Sequence, residues 1–220
     1  MTDCEIVDKT IELYDKCNIH SFPFRCVELL KQLEYTVMSY SEIGKANPHL
    51  YKICFAYSED AFLDKNNRFI AYNSNLTKER IRFTLMHELG HDILGHKGNK
   101  QRNEKEANCF ASNMLAPRIA IHYSGCKNAE DVSYYFKISH MASKIAYNEY
   151  RQWYRFITYN KINLRNNKMY IHFYNSQLDE FIWHMDKCRK CGDIIYNHPD
   201  MELCEGCNEH DLDIIPDIVL

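Results

Sequence analysis

The chain has 220 residues and a formal charge of −3 at pH 7, so it has no general electrostatic drive toward nucleic acid. Seven Gly and five Pro against sixteen Tyr and eleven Phe exclude disorder and call for a packed core. No apolar run approaches the roughly 20 residues of a membrane span, and the amino terminus lacks the basic and apolar regions of a secretory signal, so the cytoplasm is the expected compartment.

In chain order, residues 3–17 and 24–33 read as helices, the second carrying Val27, Leu29, Leu30 and Leu33 after a turn at Ser21-Phe22-Pro23. Three strands are expected next, over 35–40, 51–57 and 68–73. A helix then starts at an Asn75 or Thr77 cap and stops at Gly95 or Gly98. Ile81, Leu85, Met86, Leu89, Ile93 and Leu94 form its apolar side; Arg80, Thr84, His87, Glu88 and His91 face a cleft. The next helix carries an inward stripe of Ala107, Phe110, Ala111, Met114 and Leu115 and ends at Pro117. Its small Ala107 and Ala111 allow the two helices to approach closely. Segments 128–136 and 139–153 are read as two packed helices rather than a helix-turn-helix, because the second has little basic character at its start. Residues 151–178 then hold Arg151, Arg155, Lys161, Arg165 and Lys168 with no acid, and 153–159 and 169–175 alternate like a hairpin. A small sheet against several helices makes the fold class α+β.

His87-Glu88-Leu89-Gly90-His91 carries the chemistry. Two imidazoles four residues apart on a helix project from one face and can grip one metal ion, while Glu88 stands where a carboxylate can take a proton from water. A catalytic zinc site needs a third protein ligand. His96 does not supply it in the metzincin manner, which requires Gly at 94 and His at 97; the chain has Leu94 and Lys97. Glu104 continues the inward stripe of the second helix and is the expected ligand. Glu106, expected to point further round toward solvent, is the alternative. Asn108, one turn below Glu104, is positioned to hydrogen-bond a ligating histidine. His140 is read as a structural residue at a helix cap.

These residues together resemble the ImmA/IrrE family of metallo-endopeptidases, which are gluzincin-like. The resemblance runs through Arg82 to His91, through Glu104, Ala107, Asn108, Phe110, Ala111, Met114, Leu115 and Pro117, and on to Phe136, Ile138, Ser139 and Ala142. It implies a helical zincin-like peptidase domain with a small sheet, and zinc-dependent cleavage of a helix-turn-helix DNA-binding repressor, often from a mobile element or stress regulon. It also implies that the strand before the active-site helix is an edge onto which a substrate peptide adds.

At the C-terminus, Cys188-x-x-Cys191 and Cys204-x-x-Cys207 have the spacing of a four-thiolate zinc ribbon, with Gly192 and Gly206 suited to tight turns at the knuckles. Such a site is closed, so its zinc is structural. Cys4, Cys17, Cys26, Cys54, Cys109 and Cys126 are scattered and read as free thiols; His198 and His210 read as surface residues. Residues 200–217 hold seven acids and no Lys or Arg, a run that could pair with the basic segment and would repel phosphates. The expected organisation is a peptidase domain at 1–152, a connecting hairpin at 153–184 and a ribbon with acidic tail at 185–220. Two zinc ions follow, one catalytic at His87, His91 and Glu104 and one structural at the cysteines; the His/His/Glu set is also compatible with manganese. The rival reading is a peptidase fold kept as a protein-binding module, with weak or absent cleavage.

Overall fold

The computed structural model describes residues 1–98 and 100–212, the side chains of 209–212 excepted. Residues 213–220, which include the end of the acidic run, and the side chain of His210 therefore lie outside the described residues. The elements in order are α1 (Asp3–Cys17), α2 (Cys26–Gln32), β1 (Thr36–Ser39), α3 (Tyr40–Ala46), α4 (Pro48–Tyr57), β2 (Ala61–Asp64), β3 (Phe69–Tyr72), α5 (Lys78–Ile93) and α6 (Gln101–Leu115). They continue with α7 (Arg118–Tyr123), α8 (Ala129–Phe136), α9 (His140–Tyr159), α10 (Lys168–Phe173), β4 (Tyr174–Asn175), β5 (Glu180–Phe181), β6 (Met185–Lys187), β7 (Ile194–Tyr196) and α11 (Glu205–Leu212). Helices with small sheets make an α+β fold. No described helix is long and apolar enough to cross a membrane.

The main sheet has the order β1-β3-β2, with β1 parallel and β2 antiparallel to β3. This corrects the expected edge. The strand before the active-site helix, β3, is paired on both sides, and β2 takes an outer position. The segment expected as a strand over 51–57 is the helix α4. Its aromatic residues alternate like a strand, but Asn47 caps Leu50 at 3.0 Å and Pro48 opens the first turn, where its missing N–H costs nothing. Tyr51 and Phe55, four apart, then stack at 5.7 Å as helix neighbours do.

The core lies where α1, α5, α6 and the later helices meet. Leu85, Met86 and Leu89 of α5 are at most 1% exposed, as are Phe110, Ala111, Met114 and Leu115 of α6. The buried Tyr14 hydroxyl shares its proton between the carbonyls of Asn113 and Met114, at 2.7 and 2.8 Å, so the last turn of α6 is satisfied from inside the core. The expected hairpin over 153–175 is absent. Residues 153–159 complete α9, and α10 buries Met169, Tyr170 and Phe173, a helical rather than alternating set. Two of its basic residues find partners outside the acidic run: Arg165 with Asp179 at 3.7 Å and Lys168 with Asp8 at 2.8 Å. Trp183, 3% exposed, packs on Tyr135 and Phe136, and its carbonyl accepts from the Phe22 N–H at 2.8 Å.

Candidate metal centre

Helix α5 begins where Thr77 Oγ1 accepts from the Arg80 N–H at 3.3 Å, and from that start its register sets which residues look inward. Leu85, Met86 and Leu89 enter the core, so His87, Glu88 and His91 emerge on the opposite side. That side opens into a cleft of about 380 Å³ walled by Ser58, Glu59, Asp60, Thr84, Glu104 and Asn108. Arg80 grips the Asp60 carboxylate with Nε and Nη2, at 3.1 and 2.8 Å, and so ties the β2 side of the cleft to the start of α5.

Helix α6 approaches α5 very closely. The contact point is Gly90, where a Cβ would stand 3.0 Å from Phe110 Cδ1 and 3.3 Å from the Ala107 Cα. The small residues expected on α6 are therefore met by a glycine on α5 that lies inside the His-Glu-x-x-His motif itself. This approach carries Glu104 to the histidines: its carboxylate oxygens stand 3.2 Å from His87 Nε2 and 3.4 Å from His91 Nε2. The two Nε2 atoms are 3.0 Å apart. One ligand atom from each of His87, His91 and Glu104 falls within 4.8 Å of the others, the convergence a metal ion requires. Asn108 Oδ1 meets His87 Nδ1 at 2.9 Å, as expected of it; the ring therefore donates from Nδ1 and leaves the Nε2 lone pair free.

Electrostatics suit the same reading. Burial pushes the Glu88 carboxyl up to about 7, helped by the Glu104 charge and opposed by Lys65. Burial, followed by the His87 ring, holds His91 well below the usual histidine value, so it stays neutral and able to ligate.

Glu106 departs from the expectation. It does not point to solvent: its side chain is only 12% exposed, against 48% for Glu104, and it lies against His96 rather than in the metal cluster. The apolar stripe of α6, projected back one turn, could not reveal this, because the chain between α5 and α6 folds over that face. Sequence reading also missed Lys65, whose Nζ donates to the carbonyls of His91 and His96 at 2.6 and 2.8 Å. No sequence signal links Lys65 to a helix end 26 residues away. His140 is exposed and stands apart from the metal cluster.

Residues 49–145 match the family model described as the IrrE N-terminal-like domain, Peptidase_M78. This segment is similar to the ImmA/IrrE family. No curated protein matches the chain. The matched segment contains His87, Glu88, His91, Glu104 and Asn108, and the match supports a metallopeptidase-like fold whose His/His/Glu cluster fits a bound metal.

Outside that segment, Cys188, Cys191, Cys204 and Cys207 form a second cluster with all four sulfurs within 4.8 Å. The β6–β7 hairpin presents the first pair and the start of α11 the second. Backbone N–H groups of Cys191 and Cys204 hold the Cys188 thiol below its usual range, while Cys191 and Cys207 lie above theirs. Gly192, with φ of +82°, makes the expected tight turn. Gly206 does not: it lies in the first turn of α11. All ten cysteines are free thiols.

Proposed function

We propose that the chain is a zinc-dependent endopeptidase whose His87, His91 and Glu104 hold the metal and whose Glu88 is the general base. The observation that carries this reading is the convergence of those three side chains beside a carboxyl raised to about 7. Zinc bound by such a set would supply a Lewis acid and would lower the pKa of water to about 7. Glu88, with a pKa near the working pH, takes a proton from the water that attacks the scissile carbonyl and passes it to the departing amine. Asp60, fixed by Arg80, helps hold the wall against which the substrate backbone lies. A second zinc at Cys188, Cys191, Cys204 and Cys207 is structural, because four thiolates leave no open position.

A polypeptide substrate suits the surroundings. A groove of about 780 Å³ shares Phe83 and Asn108 with the metal cleft and is lined by Cys109, Leu115, Ile138, Met141 and Ile145. Met141 is 71% and Ile145 53% exposed, so the groove offers apolar surface to residues flanking the cleaved bond. On the ImmA/IrrE resemblance, the substrate is a helix-turn-helix repressor. The decisive variant is Glu88→Gln. It should bind metal and partner as the parent does while cleavage falls by at least about a hundredfold. Equal processing of a partner by the variant would refute the enzyme reading and leave a binding module.

A further inference from the structure

Four ring contacts run in line from α6 through α5 and back to α6. Asn108 Oδ1 meets His87 Nδ1 at 2.9 Å; His87 Nε2 meets His91 Nε2 at 3.0 Å; His91 Nδ1 meets His96 Nδ1 at 3.1 Å; His96 Nε2 meets Glu106 Oε2 at 3.0 Å. Both ends of the chain are oxygen acceptors. A neutral imidazole carries one N–H, so the three rings bring three protons to these four contacts. One contact must set two lone pairs face to face. Among the described residues, the contact with a third metal-ligating group beside it is the His87–His91 Nε2 pair, where the Glu104 carboxylate converges. A cation there satisfies both lone pairs, and every remaining proton then has one place to go. His91 donates from Nδ1 to His96 Nδ1, and His96 donates from Nε2 to Glu106.

The backbone builds the same arrangement. Gly95 takes the left-handed conformation, φ +66°, just past the end of α5, and the His96 N–H bonds back to the His91 carbonyl at 3.0 Å. This closing turn folds His96 under the last turn of the helix, ring against ring, with centroids 5.1 Å apart. Lys65 clamps the carbonyls of both residues, and Arg102 Nε holds the other oxygen of Glu106 at 2.8 Å. The His96 side chain is 5% exposed. A buried imidazole with both nitrogens engaged and its backbone held at both ends has one orientation.

We propose that His96 and Glu106 are positioning residues: a relay that fixes His91 in the Nδ1–H tautomer and so aims its Nε2 lone pair at the metal. The inference rests on the metal site proposed above. It gives the two proposed histidine ligands different supports, a neutral amide behind His87 and an imidazole backed by a carboxylate behind His91. The second makes His91 the more electron-rich donor.

The test compares His96→Phe and His96→Asn by zinc competition against a chromophoric chelator at fixed pH, with the cysteine-bound zinc as internal reference and circular dichroism as the check of folding. Phe fills the space but accepts nothing. It should weaken the His/His/Glu site by about 10- to 100-fold. Asn places Oδ1 near the lost Nδ1 and should recover much of the loss. If His96 only packs, the order reverses, with Phe near the parent and Asn worse; that order overturns the relay. Should both variants misfold, nitrogen NMR of the zinc-loaded parent decides: His96 must be the Nε2–H tautomer, and an Nδ1–H tautomer overturns the proposal. A parent that takes up zinc only at the cysteines would refute the metal site and the relay with it. Parent binding that is unchanged in His96→Phe would refute the relay alone.

Discussion

At the scale of single residues, Glu88 is the group whose titration the fold alters most usefully. Its carboxyl rises from 4.5 to about 7, so below pH 4.5 folded and unfolded chains are both protonated there and the residue costs nothing. As the pH climbs through 7 the unfolded chain is already ionised, while the folded one must ionise a half-buried group against its preference. The metal-free protein should therefore lose stability across that window. Glu88→Gln removes the effect, so thermal melts of chelator-treated protein should match the parent near pH 4.5 and exceed it above pH 7. A difference between the two that stays flat with pH would refute the assigned shift. His87, Glu88 and His91 were legible in the sequence because their relation is local, set by helix periodicity alone. Glu104 was legible because the five apolar positions after it define a face. His96 and Glu106 were not: their meeting depends on a left-handed Gly95 and on how the two helix ends cross, which no periodicity encodes.

At the scale of elements, the α5–α6 pair sets the separation of the proposed ligands. Gly90 lies between the two histidines in sequence and against Ala107 in space. Gly90→Ala would press a methyl onto Phe110 and the Ala107 backbone. The helices must then part by a few tenths of an ångström, moving Glu104 away from both Nε2 atoms. The expected cost is about 1–3 kcal/mol of stability. Zinc affinity should fall as well, read by competition at a temperature where the variant is fully folded. Normal affinity in a destabilised variant would mean that the interhelical distance does not govern the site. The elements misread from sequence, α4 and α10, share a cause. Each is short and rich in aromatic residues whose side chains suit either period, and a polar cap (Asn47, Asn167) decides the outcome. Likewise the sheet composition gave no order, so the central place of β3 emerged only from its pairing with both neighbours.

At the scale of the whole molecule, the cysteine-bearing C-terminal segment is anchored by the residues just before it. Trp183 packs in the aromatic cluster with Tyr135 and Phe136, and His184 Nδ1 donates to the Phe22 carbonyl at 2.8 Å. Trp183→Ala should therefore destabilise the helical domain itself, by about 3–5 kcal/mol as for other buried tryptophans. Cys188→Ser should release one zinc and leave the main thermal transition of that domain in place. Metal analysis together with calorimetry separates the two. If Cys188→Ser lowers the main transition as far as Trp183→Ala does, the cysteine cluster is part of the domain's own stability and not an appended support.

The proposed ligands His87, His91 and Glu104 all sit on one helical hairpin, α5 and α6. Contacts between neighbouring helices form early, since little chain must be closed to make them, whereas β1 must wait for β3 across α3 and α4. Metal can thus be captured before the sheet exists, and an ion bound at that stage would act on the speed of folding as well as on its end point.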